Sequence, residues 1–191
     1  MVKEVKFITI KLNVNNKSLC DFFNDYFSLL GSIKDSYIIY ALHGNMIYRE
    51  YNLKNLIDMI KLDFNENIEI FESNVFNDSN DFEKLFKLNA KYNISQYMNV
   101  SKLAITMFNK AQKQEIEELK KIITKALIID SDLMNIAKSM FKNNLNVSKT
   151  AKDVYMHRNT VINKLDVIKM RTGLNIQNFE DAFILYSFIN F

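Results

Sequence analysis

Between Thr150 and Leu165 the chain reads TAKDVYMHRNTVINKL, with basic and amide side chains set among regularly spaced apolar ones. Arg and Asn can make paired hydrogen bonds to guanine and adenine edges, and Lys, Thr and His can hold phosphates. Val161, Leu165 and Ile168 recur at steps of four and three, which predicts a helix buried along that stripe. The opposite face then presents Arg158, Asn159, Ile162, Asn163 and Lys169, with Thr160 and Lys164 toward its flanks. Upstream, NVSKTAKDVY predicts a shorter helix, with Ser148 as N-cap and Ala151, Val154 and Tyr155 facing inward. The small Ala151 allows two helices to approach closely across the MHR break. Gly173 is placed to end the second helix in a left-handed conformation. Two short helices joined by a tight turn, the second basic, describe a helix-turn-helix.

The charge distribution agrees with that reading. Eight Lys and Arg lie between Lys138 and Arg171 against Asp153 and Asp166, although the whole 191-residue chain carries only +3. The remaining chain has 17 basic and 20 acidic residues, so the positive charge is concentrated in one C-terminal segment. The bland alternative is a solvated, Lys-rich helical surface.

The longer stretch NNLNVSKTAKDVYMHRNTVINKLDVIKMRTGLNIQNFEDAFIL resembles the C-terminal helix-turn-helix of the PucR/CdaR regulators. Thr150-Ala151, His157-Arg158-Asn159-Thr160, Leu165, Ile168 and Thr172-Gly173-Leu174 carry the resemblance, which runs from about Ile129 to the C-terminus. It implies DNA binding. The candidate DNA-binding residues are Ser148, Lys149, Thr150, His157, Arg158, Asn159, Thr160, Ile162, Asn163, Lys164 and Lys169. Where the family usually has Tyr-Arg, this chain has Asn163-Lys164, which implies a base preference of its own because Arg and Lys are not equivalent at a bidentate site. Val154 replaces the family's Leu, a mild core change. His157 reads as an N-cap or phosphate contact; the only other His is His43, so metal-ligand spacing is missing.

The N-terminal residues alternate in period. VKFITIKL, SYIIYAL, MIYREY and NIEIFES read as strands, with SYIIYAL and MIYREY as a hairpin around HGN. SLCDFFNDYFSLL and NLKNLIDMIKL read as helices, the second burying Leu53, Leu56, Ile57 and Ile60. The β-α-β-β-α-β order predicts an antiparallel sheet with helices on one face. After NVFNDSND the strand signal stops and helices follow, including KQEIEELKKIITKALI and DSDLMNIAKSMFKNN, the latter capped by Asp130 or Ser131. Asn178 is placed to cap an almost wholly apolar last helix, with Asp181 completing a capping box. The expected fold class is α+β: a small antiparallel-sheet domain over 1–77, degenerate GGDEF-like or ferredoxin/ACT-like, then an all-α region. That region comprises a helical connector over 78–129, a candidate dimerisation element, and a helix-turn-helix domain over 130–191.

Members of the resembled family often carry a degenerate GGDEF-like domain. Active cyclases of that fold place Gly-Gly and acidic residues on the hairpin, whereas ALHGNMIYRE has Gly44 alone and no acid at its tip. There is no P-loop, dinucleotide fingerprint or Ser/His/Asp set, so no enzyme, cofactor or metal is expected. Cys20 is the single cysteine and fits a reducing compartment. No signal segment is visible and the apolar runs are too short to span a bilayer, so a cytoplasmic protein is expected. The expectation is a transcriptional regulator that binds double-stranded DNA as a homodimer or higher homo-oligomer, with a small-molecule or protein effector and no membrane partner. A non-DNA-binding adaptor is the alternative, and a degenerate cyclic-dinucleotide binder rests on fold analogy alone.

Overall fold

The computed structural model describes residues 4–12, 16–34, 36–77 and 79–190. The chain divides into two compact units, Met1–Asn99 and Val100–Phe191. The fold class is α+β, with a five-stranded sheet in the first unit and helices in the second.

In the first unit, alternating apolar residues build β1 (Val5–Lys11), with β2 (Ser32–Lys34), β3 (Tyr37–His43), β4 (Glu69–Phe76) and β5 (Tyr97–Asn99) in the order β2-β3-β1-β4-β5. Strand β1 runs antiparallel to both neighbours, pairing Ile10 with Ile38 on β3 and Ile70 on β4. Ile8, Ile10 and Leu12 pack with Leu19, Phe23 and Phe27 of α1 (Lys17–Phe27) and Leu56, Ile57 and Ile60 of α2 (Leu53–Phe64). Successive strand residues face opposite sides, and Phe7 stacks on Phe82 of α3 (Ser79–Tyr92) at a centroid distance of 3.8 Å. Helices therefore cover both faces of the sheet, not one as expected.

The hairpin joins β2 to β3, while MIYREY begins as a 3-10 turn, Gly44–Tyr48, that Gly44 opens at φ +56°. The true hairpin sequence, GSIKDSY, also lacks Gly-Gly; its one acid, Asp35, lies outside the described residues. The sheet is mixed, because β5 pairs parallel with β4 in a segment expected to be purely helical. The expected connector over 78–129 is consequently divided: α3 and β5 belong to the first unit, α4 (Val100–Lys110) and α5 (Lys113–Ile129) to the second.

The second unit continues with α6 (Ser131–Lys142), α7 (Val147–Asp153), α8 (Arg158–Thr172) and α9 (Phe179–Asn190). Leu119, Ile123, Leu133, Ile136, Met140, Val161, Leu165, Ile168 and Leu185 are buried together with the other apolar stripes of these helices. In a chain without proline, Asn supplies much of the punctuation. Asn16, Asn52 and Asn146 cap helix starts, and Asn65 and Asn144 take left-handed φ values. Among the described residues no helix is long and apolar enough to cross a membrane.

Candidate nucleic-acid interface

Helices α7 and α8 form the expected helix-turn-helix, packed against α6, and the local joints explain which side chains are left outside. Asp130 caps α6, accepting from the Asp132 and Leu133 N–H groups. The α6–α7 connection passes through Asn144 and Leu145, both at positive φ. The start of α7 is capped by Asn146, whose Oδ1 accepts from Lys149 N at 3.0 Å, so Ser148 is not the cap. Ser148 and Lys149 are exposed on the first turn of α7.

Thr150 is fully buried, and its hydroxyl donates to the Ser139 carbonyl of α6 at 3.5 Å. It holds α7 against α6, and its burial keeps it from contacting DNA, contrary to expectation. Ala151 is buried beside it, as its small size predicts. At the far end of α7, Asp153 accepts from Ser139 Oγ at 2.7 Å and from Lys142 Nζ at 3.0 Å. An acid at a helix C-terminus opposes the macrodipole, and the Lys142 ammonium offsets this. The Ser139 hydroxyl, then Lys142, hold the Asp153 carboxyl below its ordinary range. A depressed carboxyl pKa stabilises the fold above that range, and the contribution is lost as pH falls through it. Thermal melts taken between about pH 6 and pH 3 are expected to show a smaller acid-induced loss in Asp153→Asn than in the parent chain.

The turn between α7 and α8 departs most from expectation. Tyr155 does not face inward; it is 96 % exposed with φ +55°. Its N–H donates to Lys152 O, and Met156 N–H donates to Ala151 O at 2.9 Å. This is a Schellman ending in which Tyr155 occupies the left-handed position usually held by Gly or Asn. That conformation costs a tyrosine about 1 kcal/mol. Tyr155→Asn is therefore expected to raise stability by about that amount, read as a higher urea midpoint.

His157 caps α8 as expected, its Nδ1 accepting from Asn159 N at 3.2 Å. The cap leaves the neutral ring's proton on Nε2, available as a donor. Val161, Leu165, Ile168 and Thr172 form the buried stripe. The ridge opposite, at steps of four, three and four, is Asn159, Asn163, Asp166 and Met170, with Arg158 and Thr160 exposed at the N-terminal end. Ile162 is half-buried and Lys169 exposed on the edge of that ridge. Lys164 sits on the other flank, turned to α6 and paired with Asp132 at 3.6 Å. Arg171 does the same toward Asp130 at 3.7 Å. Two acids at the start of α6, the N-cap Asp130 and Asp132, thus pair with two bases of α8.

The geometry brings Arg158, Asn159, Thr160, Asn163 and Lys169 onto one accessible side of α8 and leaves Thr150 and Lys164 off it. Asp166 lies on the same exposed ridge and Tyr155 is exposed in the turn before α8, and neither is among the residues that the sequence pattern selects. Asp166 counted only as an opposing charge, although its spacing from Asn159 and Asn163 already placed it on the ridge. Among the described residues no cluster of His, Cys, Asp or Glu could hold a metal ion.

Residues 133–189 match the PucR C-terminal helix-turn-helix domain. The chain is 33 % identical over 57 residues to the uncharacterized protein YxkF of Bacillus subtilis (strain 168), a stretch that is 30 % of this chain and 19 % of that one. The match thus spans about a fifth of that curated relative. The crystal structure of a regulator of polyketide synthase expression from Bifidobacterium adolescentis aligns with 98 % of this chain and 79 % of its own. The identity is 14 % and the TM-score 0.44.

Proposed function

We propose that the chain is a sequence-specific transcriptional regulator whose helical unit reads double-stranded DNA, with α8 in the major groove. The observation that carries this reading is the exposed set Arg158, Asn159 and Asn163, held outward by the buried Val161, Leu165 and Ile168 stripe. It lies inside the span that matches the PucR helix-turn-helix domain. Arg158 and Asn159 sit at the N-terminus of α8, where such helices commonly meet base edges. Thr160, Ser148, Lys149, Lys169 and the Nε2 proton of His157 supply phosphate contacts, and Ile162 reaches a thymine methyl.

Residues 130–191 are the DNA-binding module in this reading. The protein works in the cytoplasm as a homodimer, because a single such helix reads too few base pairs. The N-terminal unit sets oligomeric state or senses a small-molecule or protein effector, and no catalysis is assigned to it. The test is a fluorescence-anisotropy titration with DNA from upstream of the protein's own coding sequence, against a scrambled duplex. Tighter binding to the first, lost in Arg158→Ala/Asn159→Ala, supports the reading. Equal or absent binding to both returns the adaptor alternative.

A further inference from the structure

The last helix does not bury all its apolar surface. Ile184, Leu185 and Phe188 are buried, yet Phe179 is 79 %, Phe183 57 % and Tyr186 42 % exposed along its other side. Phe108 of α4, 37 % exposed, extends the patch through its ring contact with Phe183. On the far side Tyr186 meets Phe141 edge-on at 5.3 Å. Between the rings runs an open groove of about 330 Å³, floored by Ala182 and bordered by Leu145. No charged side chain lines it, although Lys138 and Lys142 lie nearby in sequence on α6.

We propose that this face of α9 is the interface between two copies of the chain, packed about a two-fold axis. This rests on the regulator reading only for its purpose, not for its evidence. Three features select a second copy. First, a two-fold interface must be complementary to itself, and this face carries both exposed rings and, over Ala182, an open groove that could receive a ring of the second copy. Second, with roughly 200 Å² per aromatic side chain, the four exposures leave about 400 Å² of ring surface per chain. Doubled across the axis that is about 800 Å², the apolar centre that a specific interface of about 1,200–2,000 Å² in total surrounds with a polar rim. Third, two domains with net positive neighbouring segments approach most easily through a groove with no charged lining, and the exposed acid at its margin, Glu180, is of the sign that offsets Lys138 and Lys142.

The test is sedimentation equilibrium of the full chain. The parent is expected to be dimeric at about 10 µM. Phe179→Ser/Phe183→Ser is expected to raise the dimer dissociation constant at least about tenfold, with the helical circular-dichroism signal retained. If that double variant fails to fold, Phe179→Lys alone serves, since that ring is largely in water already. An independent arm places Phe183→Cys in a Cys20→Ser background and follows disulfide-linked dimer under mild oxidation, with Leu62→Cys in the same background as control. Faster linkage at 183 than at 62 supports the interface. A monomeric parent, an unchanged dimer in the variants, or linkage no faster than the control overturns it. DNA titration of the same samples separates the two ideas. A dimer through α9 that binds no DNA ends the regulator reading alone, and a DNA-binding monomer ends this inference and the homodimer part of that reading while leaving DNA reading by α8 standing.

Discussion

Arg158→Ala/Asn159→Ala is expected to weaken binding to the specific duplex by about 10²–10⁴-fold, since each bidentate base contact discriminates by about 1–3 kcal/mol. Both side chains are exposed and neither belongs to the buried stripe of α8, so the melting temperature should hardly move. The comparison with scrambled DNA gives the result its meaning. Loss confined to the specific duplex assigns base reading to these residues, whereas equal loss on both assigns a phosphate contact. Asn163→Ala belongs to the same ridge and should act in the same sense, with about one contact's worth of effect. Thr150→Val, by contrast, should leave specific affinity nearly unchanged and register as reduced stability, because its hydroxyl bonds to Ser139 O inside the unit.

Gly173→Ala is expected to be among the most damaging single changes in the helical unit. Gly173 ends α8 at φ +76°, and an added Cβ would lie 2.6 Å from Val100 Cβ. The positive φ costs alanine about 1 kcal/mol, and the forced displacement adds about 1–3 kcal/mol. A total of about 2–4 kcal/mol would lower the melting temperature by more than about 10 °C for a unit of this size. Gly44 provides the internal comparison, because it has φ +56° and nothing within 4 Å of its added Cβ. Gly44→Ala should therefore show the backbone penalty alone. Trimming Val100 to alanine should not rescue the Gly173 variant, since the nearest atom is Val100 Cβ itself.

Much of this architecture was legible because burial writes a period into the sequence. The Leu53, Leu56, Ile57 and Ile60 stripe of α2 and the Val161, Leu165 and Ile168 stripe of α8 are buried as their spacing indicates. The hairpin was misplaced because β2 offers only the exposed Ser32, Ile33 and Lys34, which show no alternation. MIYREY has strand-forming residues, but Gly44 turns the backbone into a 3-10 turn before they can extend. Strand β5, at three residues, is too short to display a period and exists through its pairing with β4.

The candidate interface was legible in outline and wrong at its edges for similar reasons. Tyr155 is not a residue type that announces a left-handed helix ending, so α7 was read too far and Tyr155 was placed inside. Lys164 and Asn163 are adjacent in sequence, yet about 100° of helical rotation separates them. One lies on the outward ridge and the other turns to Asp132 of α6, a partner that composition alone does not pair with it.

The pairing of Lys142, Lys164 and Arg171 with Asp153, Asp132 and Asp130 changes what the basic segment brings to a polyanion. These three cations already have fixed counter-charges within the fold. Lys138, Lys149, Lys152, Arg158 and Lys169 make no ion pair among the described residues. A duplex meeting this segment would thus shed condensed ions in proportion to its five cations without an intramolecular ion pair, not to all eight between Lys138 and Arg171. In the DNA-reading proposal, the acids at the start of α6 would thereby trade nonspecific grip for two added ties between α6 and α8, leaving more of the discrimination to Arg158 and the exposed amides of α8.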